Sequence, residues 1–230
     1  MIPELPTYVS ILFGFTTLFT LYIFIRASHY SKVTTGLLCG WTLLQGMIAF
    51  TGFYTVTQTL PPRFALLIAP ALLFILGLFV VPGGRKYLSS LRISHLTLLH
   101  TIRIPVEFVL YGLYLHHRIP EVMTFEGRNL DILSGITAPF IYYFGFIKPV
   151  LSRKIILAWN WICLGLLINI VIHAILAAPT PFQQIDFDQP NVGVFYFPFA
   201  WLPGVVVPLV LLSHLAAIRQ LNSSGGSVQS

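Results

Sequence analysis

The chain has 230 residues, of which 56% are hydrophobic and 9% charged, and its formal net charge is +6. A soluble domain carries roughly 25% charged residues, so there is too little polar surface to coat a water-facing globule. The basic residues are scattered between apolar runs rather than gathered in a patch, which excludes the electrostatic footprint of a nucleic-acid binder.

A membrane-spanning helix needs about 20 mostly apolar residues. Seven such segments follow one another at 7–27, 34–58, 63–82, 93–116, 131–148, 155–178 and 195–218. Most are separated by breakers: Pro61 and Pro62, Pro82 with Gly83 and Gly84, Pro120, Pro149, and Pro179 with Pro181. The expected fold is therefore all-α, a polytopic membrane bundle of seven transmembrane helices. It forms one domain over residues 1–221, followed by a Ser/Gly-rich tail, 222–230, that reads as disordered. The first span follows Met1-Ile-Pro-Glu4 and precedes Arg26, the reverse of a cleaved signal peptide, which predicts a retained helix with the N-terminus outside.

Charge predicts the same topology. With the N-terminus outside and seven spans, the inner segments receive Arg26, Lys32, Arg85, Lys86, Arg92, Lys148, Arg153, Lys154 and Arg219 and no acid. The outer segments receive Arg63, Arg118 and Arg128 together with Glu4, Glu121, Glu126, Asp131, Asp186 and Asp188. Nine basic residues inside against three outside is the positive-inside bias, with a cytoplasmic C-terminus. The bacterial inner membrane is the simplest such location.

The fourth span carries the candidate site. At 100° per residue, His100, Arg103, Glu107, Tyr111 and Tyr114 fall within about 80° of one another. This single polar stripe must face protein or water rather than lipid. A charge at a helix centre costs roughly 2.5–3.5 kcal/mol, and the i,i+4 spacing lets Arg103 and Glu107 pair. Pro105 lies between them and lacks a backbone N–H. It predicts a kink and leaves the Thr101 carbonyl in need of a partner. Asn169 and His173, i,i+4 on the sixth span, and Gln45 on the second are candidates to complete a pocket, or interhelical hydrogen bonds. The outer loop that follows the stripe carries Glu126, Arg128, Asn129 and Asp131. It reads either as a lid over the pocket or as a solvated loop in which Asp131 caps the fifth span and Glu126 pairs with Arg128. Asp186 and Asp188 read as a solvated turn.

His100 and His214 fall in the same half of the bundle on different helices, and such a pair can ligate haem axially. No cofactor is predicted, and haem held by this pair is the alternative. A zinc site wants three or four converging ligands, and the histidines are spread too widely for one. Phe195–Leu215 contains no lysine to carry a retinal Schiff base. Cys39 and Cys163 lie inside apolar runs and read as buried thiols rather than a disulfide. Tyr8, Tyr54, Trp159, Trp161, Tyr196 and Trp201 read as interfacial anchors.

The expected partners are the bilayer and a small-molecule or lipid ligand. The leading expectation is a transporter or ligand sensor with a pocket open to the outside and Arg103 and Glu107 at its base. A second is an intramembrane lipid-modifying enzyme using Glu107 or His173 as acid or base. A third is a structural or accessory subunit in which the charged pair only holds helices together.

Overall fold

The computed structural model describes Ile2 and residues 5–223. Regular structure among these residues is helical throughout, without strands. From residue 224 onward, the expected disordered tail lies outside the described residues.

Helix α1 (Thr7–Ala27) matches its expected span. Helix α2 (Lys32–Phe50) starts where the Ser31 side chain accepts from the Thr34 N–H. It stops well short of the expected residue 58, because Gly52 turns left-handed at φ 75° and Phe53–Thr55 form a 3-10 turn. Helices α3 (Ala65–Val80) and α4 (Pro82–Ser90) meet at 95°. The breaker at Pro82 thus opens a short helix rather than a loop, since proline at the first helical position loses no hydrogen bond.

Helix α5 (Ile93–Leu99), a 3-10 turn (His100–Ile102) and α6 (Arg103–Leu115) run on as one apolar helix of 23 residues. The tightened turn lies just before Pro105, where the kink was expected, and the span runs on through it. It lets backbone N–H groups at the start of α6 accommodate the carbonyls of His100 and Thr101, the second of which Pro105 cannot serve. Helix α7 (Ile132–Tyr142) ends in a π turn (Tyr143–Ile147), and Ser152 caps α8 (Arg153–Leu176). The last helix begins later than expected, with a π turn (Leu202–Val206) leading into α9 (Val207–Asn222). The residues just before it, including Val194, Phe195 and Phe199, are buried at the end of the bundle.

Five of these helices are long and apolar enough to cross a membrane, or six if the bent α3–α4 pair is one span; Ile132–Ile147 is shorter. Exposed Phe15, Leu18, Phe74 and Ile162 give their outer faces the character of a surface in contact with lipid. The core lies where α5–α6 and α9 cross, and α2 is the least buried of the long helices.

A reciprocal pair of tryptophans holds α2 in place. Pro208 has no N–H for the Gly204 carbonyl, and Trp41 Nε1 donates to that oxygen at 2.8 Å. In return, Trp201 Nε1 donates to the Thr42 carbonyl at 2.9 Å, packed against the bare surface of Gly46. Trp201, expected as an interfacial anchor, is therefore a strut between helices. Trp41→Phe leaves the Gly204 carbonyl without this donor and is expected to cost about 1–2 kcal/mol, as is Trp201→Phe for the Thr42 carbonyl. Thermal unfolding in mild detergent checks this, and unchanged melting in both variants would show that the clasp carries no stability.

Candidate functional site

Arg103 begins α6 in the middle of the bundle and is 2% exposed. Its guanidinium finds partners on three other elements. Nη1 donates to Asp131 Oδ1 at 2.5 Å and to the Cys163 carbonyl of α8 at 3.3 Å. Nη2 donates to His214 Nε2 of α9 at 3.0 Å. An arginine can only donate, so His214 accepts at Nε2 and carries its proton on Nδ1, which meets Asn160 Oδ1 at 3.0 Å. Asn160 in turn donates to the Ile156 carbonyl at 2.9 Å. The chain of bonds therefore ties α6, α8, α9 and the start of α7 together around one cation.

The expected Arg103–Glu107 pair is not what the structure forms. Asp131 takes the guanidinium, because the loop before α7 folds inward and delivers a carboxylate that the i,i+4 geometry on α6 does not. Asp131 is at the N-cap position of α7 but makes no cap bond, its side chain being spent on Arg103. Glu107 instead accepts from Asn129 Nδ2 at 2.5 Å through Oε1, and Asn129 also donates to the Met123 carbonyl at 3.0 Å. Asn129 Oδ1 completes the turn by accepting from the Asp131 N–H.

The loop between α6 and α7 is exposed along one side, at Glu121, Glu126 and Arg128, and turned into the protein along the other. Met123, Asn129 and Asp131 are buried. Tyr111 stacks on Phe125 with ring centroids 5.0 Å apart and hydrogen-bonds Glu126, which was expected to pair with Arg128. Tyr114 reaches Glu121 at 3.4 Å. Asn169 Nδ2 donates to the Arg128 carbonyl at 3.1 Å. Gly127 passes so close to the Glu121 carbonyl that a side chain there would collide with it. The tyrosines and Asn169 thus hold the loop rather than line a pocket with Glu107. His173 bonds the Asn169 carbonyl at 2.8 Å and stands near Asp186, whose carboxyl burial lifts above the ordinary aspartate value while His173 draws it back. Gln45 accepts from the Tyr54 hydroxyl at 2.5 Å, away from the cluster.

His100 and His214 do meet, but face to face, with ring centroids 3.8 Å apart and planes 14° from parallel. Axial haem ligands stand on opposite faces of the macrocycle, and stacked rings leave no gap for it, so this pair does not fit the haem alternative. Trp159, half-buried, packs edge-on against His100 and donates to Thr137 Oγ1. Cys163 is buried, Cys39 is exposed, and both are free thiols.

Several buried polar atoms of the cluster have no hydrogen-bond partner among the described residues, including Arg103 Nε, both ring nitrogens of His100 and Glu107 Oε2. Of these residues Glu107 lines a cavity of about 100 Å³ whose other walls are almost entirely apolar, among them Leu67, Val106, Leu167, Val194 and Phe195, with Asp131 the second carboxylate. Sequence reasoning missed Asn160, whose signal was a lone amide in an apolar run, and the inward turn of Asn129 and Asp131, for which the sequence has no local signal.

Residues 63–222 match the model of a family described as Domain of unknown function (DUF8737). The chain belongs to this family. The matched stretch covers α3 to α9, and with them the whole Arg103 and Glu107 cluster of this DUF8737 protein, while α1 and α2 precede it. The chain matches no curated protein and no solved structure.

The two carboxylates predict different costs. Asp131→Ala strands a buried guanidinium and is expected to destabilise by about 3–5 kcal/mol. Glu107→Gln keeps an acceptor for Asn129 and is expected to cost about 1 kcal/mol or less. Thermal unfolding of the two variants decides it, and the reverse order would return Arg103 to Glu107 as its main partner.

Proposed function

We propose that this is a seven-span protein of a cell membrane, of the bacterial inner-membrane type, that binds a small ligand beside Glu107 and acts as a transporter or a ligand sensor. The ligand has an apolar body and one cationic or hydrogen-donating group. The observation that carries the reading is the unpartnered Oε2 of Glu107 in a cavity with apolar walls. A buried carboxylate oxygen that lacks a donor costs free energy, and a ligand that brings one recovers it.

Seven spans with the N-terminus outside and the C-terminus cytoplasmic are supported by the charge distribution, since an odd number of crossings collects nine basic residues and no acid on one side. Ile132–Ile147 has 16 residues and runs about 24 Å, short of a bilayer core of about 30 Å. Local thinning of the bilayer accommodates a helix of that length.

The geometry also suggests how a ligand would be felt. Asn129 already donates to Glu107 Oε1, and its neighbour Asp131 holds Arg103. A donor arriving at Glu107 competes with Asn129 and so acts on the loop that lies across the outer end of the bundle. That is a differential contact of the kind a sensor or an alternating-access step requires. In this reading the pocket begins occluded rather than open, and Glu107 rather than Arg103 contacts the ligand. The structural-subunit reading keeps one supporting observation, that both terminal nitrogens of Arg103 are already engaged.

The cavity is smaller than the roughly 150 Å³ space that accepts benzene, which suits an amine of about four carbons. Thermal unfolding in mild detergent with n-butylamine, and with n-butanol as the neutral control, tests the proposal. The wild type is expected to gain a few degrees with the amine at concentrations far above its Kd, and Glu107→Gln to gain nothing. Equal shifts in both proteins would overturn it.

A further inference from the structure

A cavity larger than the one beside Glu107 lies away from the polar cluster. It is a groove of about 640 Å³ on the opposite side of α9, between α2 and the bent α3–α4 pair, with Gly204, Pro208 and Leu212 of the last helix at its floor. Its length along α2, from Val33 to Leu44, is about 16 Å at 1.5 Å per residue. The walls are apolar, with Leu37, Phe74 and Ile75 among them. Gly36 and Gly40 widen it, since a Cβ at either position would meet nothing within 4 Å.

One end of the groove has a different chemistry. There the Thr34 hydroxyl and the Tyr87 hydroxyl meet at 3.1 Å across the gap between α2 and α4. Lys32 lies between the lining residues Ser31 and Val33, and Arg85 and Lys86 immediately precede Tyr87; all three cations are exposed. Helix α4 turns 95° from α3 and so lies across the groove end as a cationic shelf. Gln220 of α9 pins it by donating to the carbonyls of Leu88 and Leu91 at 2.7 and 2.9 Å. No acid occurs anywhere between Glu4 and Glu107, so nothing in the flanking sequence neutralises this end.

We propose that the groove is a binding site for one anionic phospholipid, its acyl chain lying between α2 and α3 and its headgroup phosphate held by Lys32, Arg85, Lys86 and the Thr34–Tyr87 hydroxyl pair. An apolar slot of acyl-chain length, with three exposed cations next in sequence to the residues that line one end, is complementary to that molecule at both ends. A zwitterionic lipid matches only the slot, and a second helix docked on the Gly36–Gly40 face would leave the cations unused. The site is separate from Glu107 and does not depend on what occupies the cavity there.

Native mass spectrometry of the detergent-purified protein, titrated with dioleoylphosphatidylglycerol and with dioleoylphosphatidylcholine, tests this. The wild type is expected to retain one phosphatidylglycerol with about tenfold or greater preference. Lys32→Gln with Arg85→Gln and Lys86→Gln is expected to abolish the preference. Lys148→Gln with Lys154→Gln, which removes cations away from the groove, is expected to leave it intact. Gly40→Phe fills the slot and is expected to lose the single tightly held lipid of either kind. The proposal is overturned if the wild type shows no preference, if the two sets of lysine and arginine variants lose it equally, or if Gly40→Phe instead dissolves a dimer present in the wild type.

Discussion

Burying Arg103 at the centre of the bundle is the constraint around which the remaining polar structure is arranged. The cost of taking a guanidinium away from water is offset here by balancing its charge and engaging its two terminal nitrogens, while Nε has no partner among the described residues. No single neighbouring helix can do this alone. Asp131 supplies the counter-charge, Cys163 a backbone carbonyl and His214 a ring nitrogen. Because these come from three different elements, satisfying one side chain sets how α6, α7, α8 and α9 approach one another. The requirement propagates outward, since His214 can accept from Arg103 only if its other nitrogen finds an acceptor in Asn160.

The same requirement explains the outer loop. Asp131 can reach Arg103 only if the residues before it turn into the bundle, and Asn129 enters with it to meet Glu107. Gly127, Phe125 on Tyr111 and the bond from Asn169 to the Arg128 carbonyl hold that inward path from the outside. The carboxylate left with a buried, unpartnered oxygen among the described residues is consequently Glu107, beside a cavity that reaches the cluster. Structure and candidate function are thus divided between the two acids: Asp131 neutralises the core, and Glu107 retains an unused acceptor.

Prolines shape the other half of the molecule by the same accounting of backbone groups. Pro105 is absorbed by a 3-10 turn, whereas Pro208 leaves the Gly204 carbonyl to be met by Trp41 from another helix. That contact and its mirror from Trp201 fasten α2 to the start of the last helix, and the long groove lies between α2, α3 and that helix. The α2 helix is thereby fastened at a few points rather than packed along its length.

The sequence by itself determined the helical class and the presence of several segments apolar enough to cross a membrane, because a bilayer imposes its length rule one segment at a time. It also singled out the stripe from His100 to Tyr114, since a polar face in an apolar helix is visible from the 3.6-residue period. Helix ends at Phe50 and Leu202 were less legible, as they follow from Gly52 and from prolines whose carbonyls could be served in more than one way. Only the tertiary structure decided that Arg103 belongs to Asp131 and not to Glu107, that His100 stacks on His214, and that Asn129 points inward. These pairings join residues as far apart as 103 and 214, and the partner a buried charge takes depends on which side chain the packed helices bring within reach.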